Sequence, residues 1–287
     1  MQGLILVGSS KTNTKEICVD SNFMNASFRQ EEKFDITITN GTCRVQRIDA
    51  NSGWDQLIVY ADVYPHTDIP GRIPLCYINL QEDADRRQHM QTMLSTVTDA
   101  SNIYRVEGVK HESGMEGCRL AHIQANLFAI NKGFEYYMIA EDDIQPLVDT
   151  SGIMTYITHA IQHSPDLVLF EQGQRLEGKI QLERKTPNMY RIYYGGSCAA
   201  SYVCKRTFGI QLVLQWLRTS GRHCDDSWQD IWRSHNVYFH RPQLFHQMAG
   251  KSHNIGYREE TAPFNWQLYE HIQFASIRNR NIRMVQQ

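Results

Sequence analysis

Tyr136-Tyr137-Met138-Ile139-Ala140-Glu141-Asp142-Asp143-Ile144 opens on an apolar run of strand length and ends in three consecutive carboxylates. Gly133 stands just upstream, where a left-handed residue stops a helix. Phe134 to Ala140 therefore reads as a buried strand entered from a helix. In open α/β sheets, ligands bind beyond the carboxyl ends of the strands. Three adjacent carboxylates repel one another unless something positive neutralises them. Mg²⁺ or Mn²⁺ suits that role, because both take hard oxygen ligands and share them with substrate phosphates. Such a cation holds a diphosphate and absorbs the charge that builds on it as it leaves. The competing reading is an acidic turn in which one Asp caps the next element. In an extended segment, residues two apart point the same way, which puts Glu141 and Asp143 on one side. An Asp142–Asp143 pair requires the strand to have ended, and both arrangements stay open.

Upstream of this strand, Glu116 to Lys132 predicts a helix, with Leu120, Ile123, Leu127 and Ile130 on one face. Ile73 to Leu80 reads as a strand and Ala84 to Leu94 as a helix. Downstream come a helix at Gly152 to His163, a strand at Leu167 to Phe170 and a helix at Thr207 to Leu217. Strands alternating with helices imply an α/β domain with a largely parallel sheet. The first residues differ. Gly3 to Val7, Phe34 to Thr39, Val45 to Ile48 and Leu57 to Val63 read as strands, and Asn40-Gly41 is a hairpin signal. The turn-rich Pro65 to Gly71 marks a boundary. The expected organisation is a small β module at 1–68 and an α/β domain at 69–287, with a tail from about Tyr257 forming a surface helix.

Composition narrows the function classes. Lys and Arg number 29 against 31 Asp and Glu in 287 residues, a balance that disfavours a nucleic-acid binder. The seven cysteines have irregular spacings and no C-x-x-C pair, which disfavours the common structural zinc sites. They read as reduced thiols packed as small hydrophobes. No stretch reads as a signal peptide or membrane span, so the expected location is the cytoplasm. The two sequons at Asn25 and Asn40 read as chance.

Three stretches in order resemble glycosyltransferase family 25, the lipooligosaccharide and collagen galactosyltransferase group. Cys76-Tyr77-Ile78-Asn79-Leu80 with Asp85-Arg86-Arg87 is similar to its opening strand and following D-R-R. Glu116-Gly117-Cys118-Arg119-Leu120-Ala121-His122 is similar to its G-C-x-x-S-H helix start, with Ala121 where the family often has Ser. Ala140-Glu141-Asp142-Asp143-Ile144 resembles its L-E-D-D-V, with Ile for Val. The likeness covers residues 73 to about 146 well and weakens to about 256. It leaves the β module and the tail unexplained.

The resemblance implies a GT-A-like, Rossmann-like domain that binds a nucleotide sugar. It also implies a metal-dependent, inverting transfer from a UDP-sugar, galactose favoured, to a hydroxyl of a glycan or glycosylated protein. Mn²⁺ or Mg²⁺ would sit on Asp143, Asp142 and Glu141, with His253 as a further ligand and His246 as its alternative. Asn79, Arg86, Arg87, Glu141, Asp142, Gly196 and Lys251 would hold the donor. One of the two arginines reads equally as a solvated helix face. His122 reads as a structural histidine, and Tyr193 to Ser197 as a Gly-rich approach or an ordinary turn. An inverting transfer needs a base for the acceptor hydroxyl, and Asp226 or Asp225 is the candidate, Asp226 favoured. Their alternative role is to cap a helix over Ser227 to Trp232. Trp228 is either a sugar platform or a core residue.

Two other classes fit parts of this pattern. A catalytically inactive relative serving as a binding or adhesion module would keep the fold, but the intact acids argue against it. A metal-dependent phosphohydrolase fits the carboxylates but not the arginine and Gly-Cys motifs. The β module or the tail would supply any oligomer contact.

Overall fold

The computed structural model describes residues 72–171, 181–194 and 198–252, and backbone strands within 2–62 and at 256–258. Among its described residues the N-terminal stretch carries the strands β1 (Gln2–Gly8), β2 (Thr14–Cys18), β3 (Ala26–Gln30), β4 (Phe34–Thr39), β5 (Thr42–Arg47) and β6 (Gln56–Asp62). β1 pairs with β6, and the other four form a sheet in the order β2-β5-β4-β3. Thr39 pairs with Thr42, so β4 and β5 are antiparallel neighbours, the pairing expected from the hairpin signal between them.

The α/β part follows as β7 (Leu75–Asn79), α1 (Ala84–Ser95), β8 (Ile103–Glu107), α2 (Gly114–Asn131), β9 (Tyr136–Glu141) and β10 (Ile144–Pro146). Then come α3 (Thr150–Ile161), β11 (Leu167–Leu169), β12 (Gln181–Thr186), β13 (Met189–Tyr194), β14 (Ser201–Lys205) and α4 (Arg206–Arg218). The described part closes with α5 (Cys224–Ser227), α6 (Gln229–Trp232), β15 (Val237–His240), β16 (Phe245–Gln247), β17 (Gly250–Ser252) and β18 (Gly256–Arg258).

Eight strands form one mixed sheet in the order β12-β13-β15-β11-β14-β9-β7-β8. β8, β7 and β9 run parallel, as do β11 and β15, whereas β14 lies antiparallel between β9 and β11. β13 is antiparallel to β15 and β12 to β13, so β13 and β14 oppose the other six. The chain therefore has an α/β fold whose central sheet is mostly parallel in strand direction.

Alternation along the strands sorts the core into two faces. Cys76 and Ile78 of β7, Tyr137 and Ile139 of β9, and Tyr202 and Cys204 of β14 pack with α2, α4 and the three tryptophans Trp216, Trp228 and Trp232. Leu75 and Tyr77, Met138 and Ala140, and Val203 pack with Met90 and Leu94 of α1 and Ile153 and Ile157 of α3. Helices thus cover both faces, as a buried sheet with near-continuous apolar strands requires.

Helix α2 starts where Ser113 accepts a hydrogen bond from the Glu116 amide at 3.4 Å, and it ends before Gly133, whose φ of 77° is the left-handed stop. The helix expected over Ser227 to Trp232 is instead two short ones, α5 and α6, that break at Trp228. His223 and Trp228 occupy the two N-cap positions, so neither Asp225 nor Asp226 serves as a cap. Gly196 and His253 lie outside the described residues, as does the tail expected as a helix from about Tyr257, except that Tyr257 and Arg258 themselves belong to strand β18.

Candidate active site

The three acids sit at the carboxyl end of β9, beside the carboxyl end of its parallel neighbour β7. The strand ends at Glu141, and Asp142 and Asp143 form a turn into β10, which pairs with β16. All three carboxylates line one cleft together with Asn79, Asp83, Arg86, Cys118 and His122. Asp142 and Asp143 are 8% and 6% exposed, so the cleft holds them largely out of water.

Each acid has its own partners. Asn79, itself buried, donates from Nδ2 to Asp142 Oδ2 at 2.7 Å, and Arg105 fixes the Asn79 amide by donating to its Oδ1 at 3.1 Å. Arg86 lies 2.9 Å from Asp142 and 3.8 Å from Asp143, spanning the pair. Burial pushes the Asp142 carboxyl up, and the hydrogen bond from Asn79 and the charge of Arg86 oppose that rise. Gln247 of β16 donates from Nε2 to Glu141 Oε2 at 2.8 Å and to Asp143 Oδ1 at 3.2 Å. Glu141 and Asp143 therefore share a side, while Asp142 turns toward Asn79 and Arg86.

Arg87 turns the other way and donates to the Gln81 carbonyl at 2.6 Å. Lys251 lies in β17, and His246 sits one residue from Gln247 in β16, on the opposite face of that strand. His122 is fully buried; its Nε2 is 3.2 Å from Glu141 Oε1 and its Nδ1 is 3.2 Å from the Tyr202 hydroxyl. Burial alone would lower this imidazole, but Cys118 and Glu141 outweigh it and bring it up to about 10. Asp225 accepts from the Cys198 amide at 3.1 Å, and burial raises its carboxyl. Asp226 is exposed. Trp228 is completely buried against Tyr202 and Trp232, so it is core and offers no sugar platform.

Two contacts of the site escaped the sequence reading. Gln247 ties β16 to the acids, and Cys224 brings its sulfur to 3.9 Å from that of Cys118. For the second, the one local signal was the four-residue spacing of Cys118 and His122 on a helix, which puts them on the same face.

No protein-family model matches the chain, and no curated protein matches it. Solved structures do match. One is mannose-1-phosphate geranyltransferase from Thermus thermophilus, at 11% identity and a TM-score of 0.34, over 61% of this chain and 60% of that one. This chain thus spans less than two thirds of that structure's length. Another is a mutant of Drosophila β1,4-galactosyltransferase 7 in complex with manganese, UDP-Gal and xylobiose, at 9% identity and a TM-score of 0.37, over 68% of this chain and 77% of that one. Among the described residues, no helix is long and apolar enough to cross a membrane.

Proposed function

We propose that the chain is a metal-dependent glycosyltransferase that moves a sugar, galactose favoured, from a UDP-sugar to a hydroxyl of a glycan or glycosylated protein, with inversion. The observation that carries this reading is the convergence of Asp142, Asp143 and Arg86 in a cleft at the carboxyl ends of two parallel strands. It joins the three motifs, in order, that resemble family 25.

The donor set fits a hard divalent cation. Two largely buried carboxylates face one cleft, and a guanidinium bridges them. Asp142 and Asp143 would hold Mn²⁺ or Mg²⁺, which supplies Lewis acidity to the leaving diphosphate. Arg86 is placed to leave its bridging position and pair with a phosphate oxygen, a role its planar fork suits. Asn79 keeps Asp142 oriented toward the cleft. Asp225 is the better placed base for the acceptor hydroxyl, because it is half-buried and within electrostatic reach of Glu141, whereas Asp226 faces solvent.

The test is a panel of nucleotide sugars assayed for donor hydrolysis and transfer. UDP-sugar turnover that stops in EDTA and returns with Mn²⁺ is the expected result. Undiminished turnover in metal-free buffer, or no turnover with any donor, removes the reading.

A further inference from the structure

We infer that Cys118, His122 and Cys224 form a binding site for a thiophilic divalent cation of the zinc class, distinct from the oxygen position at Asp142 and Asp143, with Glu141 beside Cys118 and His122 to complete the ligand set when the ion binds. The ligand atoms of the two cysteines and the histidine all lie within 4.8 Å of one another. Three edges of the cluster already have tetrahedral dimensions. With Zn–S near 2.3 Å, Zn–N near 2.05 Å and Zn–O near 2.1 Å, the edges of a regular site are about 3.8 Å for S···S, about 3.6 Å for S···O and about 3.4 Å for N···O. Cys118 and Cys224 sulfurs are 3.9 Å apart, Cys118 Sγ is 3.7 Å from Glu141 Oε1, and His122 Nε2 is 3.2 Å from the same oxygen.

The surroundings are those of a ligand set. Cys118 and His122 stand four residues apart on α2, so both project from one face of a helix capped and stopped at fixed points. His122 Nδ1 meets the Tyr202 hydroxyl, which also accepts from Asn126 Nδ2 at 2.8 Å; Asn126 in turn accepts from the Tyr137 hydroxyl at 2.8 Å. Such a partner fixes the ring and leaves Nε2 aimed at the cluster. Cys224 is held because its own carbonyl accepts from Trp216 Nε1 at 2.9 Å. Cys118, His122 and Glu141 line the cleft, which gives an ion a path in.

Soft thiolates select zinc over manganese or magnesium, so this site and the Asp142–Asp143 pair sort different ions by ligand chemistry. Binding displaces the two thiol protons and the proton on His122 Nε2. The ion would join α2, α5 and the end of β9 beside the acids.

The full-length reduced protein loaded with Co²⁺ provides the test, whether or not the chain transfers sugar. The expected result is one tetrahedral, thiolate-ligated Co²⁺ per chain, apart from any ion on the oxygen position, with thiolate-to-cobalt charge-transfer bands and intense visible bands, bleached by an equivalent of Zn²⁺. Cys118→Ser and Cys224→Ser should each weaken the charge-transfer bands, the double variant should remove them, and Asp142→Asn should leave them. Tyr202→Phe should weaken Co²⁺ binding about 10- to 100-fold while keeping the bands. The wild-type spectrum decides even where a cysteine variant does not fold. A wild-type spectrum showing only weak octahedral oxygen-ligated bands overturns the proposal. So do thiolate bands that keep full intensity in either single variant or survive in the double cysteine variant, or a Cys118–Cys224 disulfide as the resting state in mass spectra.

Discussion

Asp225 accepts a hydrogen bond from the Cys198 amide and is half-buried, while Asp226, one residue on, projects into solvent. If Asp225 takes the acceptor's proton, Asp225→Asn should lower kcat by about 10²–10⁴-fold, with Asp226→Asn close to wild type. Burial raises the Asp225 carboxyl, so the acid limb of the wild-type pH–rate profile should lie above the ordinary aspartate range. Activity then falls as pH drops through that raised value, because the base must be unprotonated. The two arginines divide in the same manner. Arg86→Ala should raise the KM for the donor, whereas Arg87→Ala, which removes a surface bond to the Gln81 carbonyl, should not. A third residue-scale prediction concerns stability. Burial beside Tyr156 and Phe170 brings His240 down to about 4, with its Nδ1–H donating to the Pro242 carbonyl at 2.8 Å. Unfolded, the imidazole titrates near 6.5, so between about pH 4 and 6.5 the unfolded chain binds more protons and stability rises with pH. Between pH 7 and pH 5 the wild type should lose on the order of 2 kcal/mol through this group. Urea unfolding at the two pH values, compared with His240→Gln, measures the difference.

At the scale of elements, α4 approaches β9 at Gly209. A Cβ there would collide with the Tyr137 hydroxyl oxygen and lie 3.4 Å from Asn126 Oδ1. Alanine would gain about 1 kcal/mol of helix propensity. Against that, the Tyr137 ring is fully buried and its hydroxyl donates to Asn126, so the ring has nowhere to retreat. Overpacking of this kind costs about 1–3 kcal/mol and here also breaks a buried hydrogen bond. Gly209→Ala should therefore lower stability, read as a fall in the thermal midpoint. The elements themselves were largely legible because they are local. The apolar faces of α2, α3 and α4 and the run of β9 carry their own period, and Gly133 announces the end of α2. The break at Trp228 was not legible, because helical spacing continues through it and the Trp228 backbone itself stays in the right-handed helical region. Nor was the insertion of antiparallel β14 between β9 and β11, since strand order depends on pairing across the chain. The same reason separates the site residues. Glu141, Asp142 and Asp143 are contiguous, and Asn79 and Arg86 sit in one motif. Gln247 is 106 residues from the Glu141 it touches, and Cys224 is 106 residues from Cys118, distances at which single-sequence spacing carries no signal.

At the scale of the whole molecule, the cleft is not an isolated pocket: each wall is an extension of one of the core layers. Asn79 ends β7, Glu141 ends β9, Arg86 comes from α1, Cys118 and His122 come from α2, and Gln247 reaches in from β16. A ligand that bridges these walls therefore binds the folded chain and has no counterpart in the unfolded one. By linkage it stabilises the fold by RT ln(1 + [L]/Kd), about 2.7 kcal/mol at a hundredfold excess over Kd. For a chain of this size each kcal/mol moves the thermal midpoint by about 2–4 °C, so UDP with Mn²⁺ should raise it by roughly 5–10 °C. UDP with EDTA should give little of that rise, because the diphosphate and the two aspartates repel without the cation between them. Asp142→Asn and Asp143→Asn should abolish the metal-dependent part. These variants also remove charge repulsion from the cleft, so their ligand-free midpoints should equal or exceed that of the wild type. Loss of the ligand shift without loss of intrinsic stability places the acids in binding rather than in holding the sheet together. A midpoint that falls in both variants and still responds fully to UDP with Mn²⁺ would place them in the fold instead.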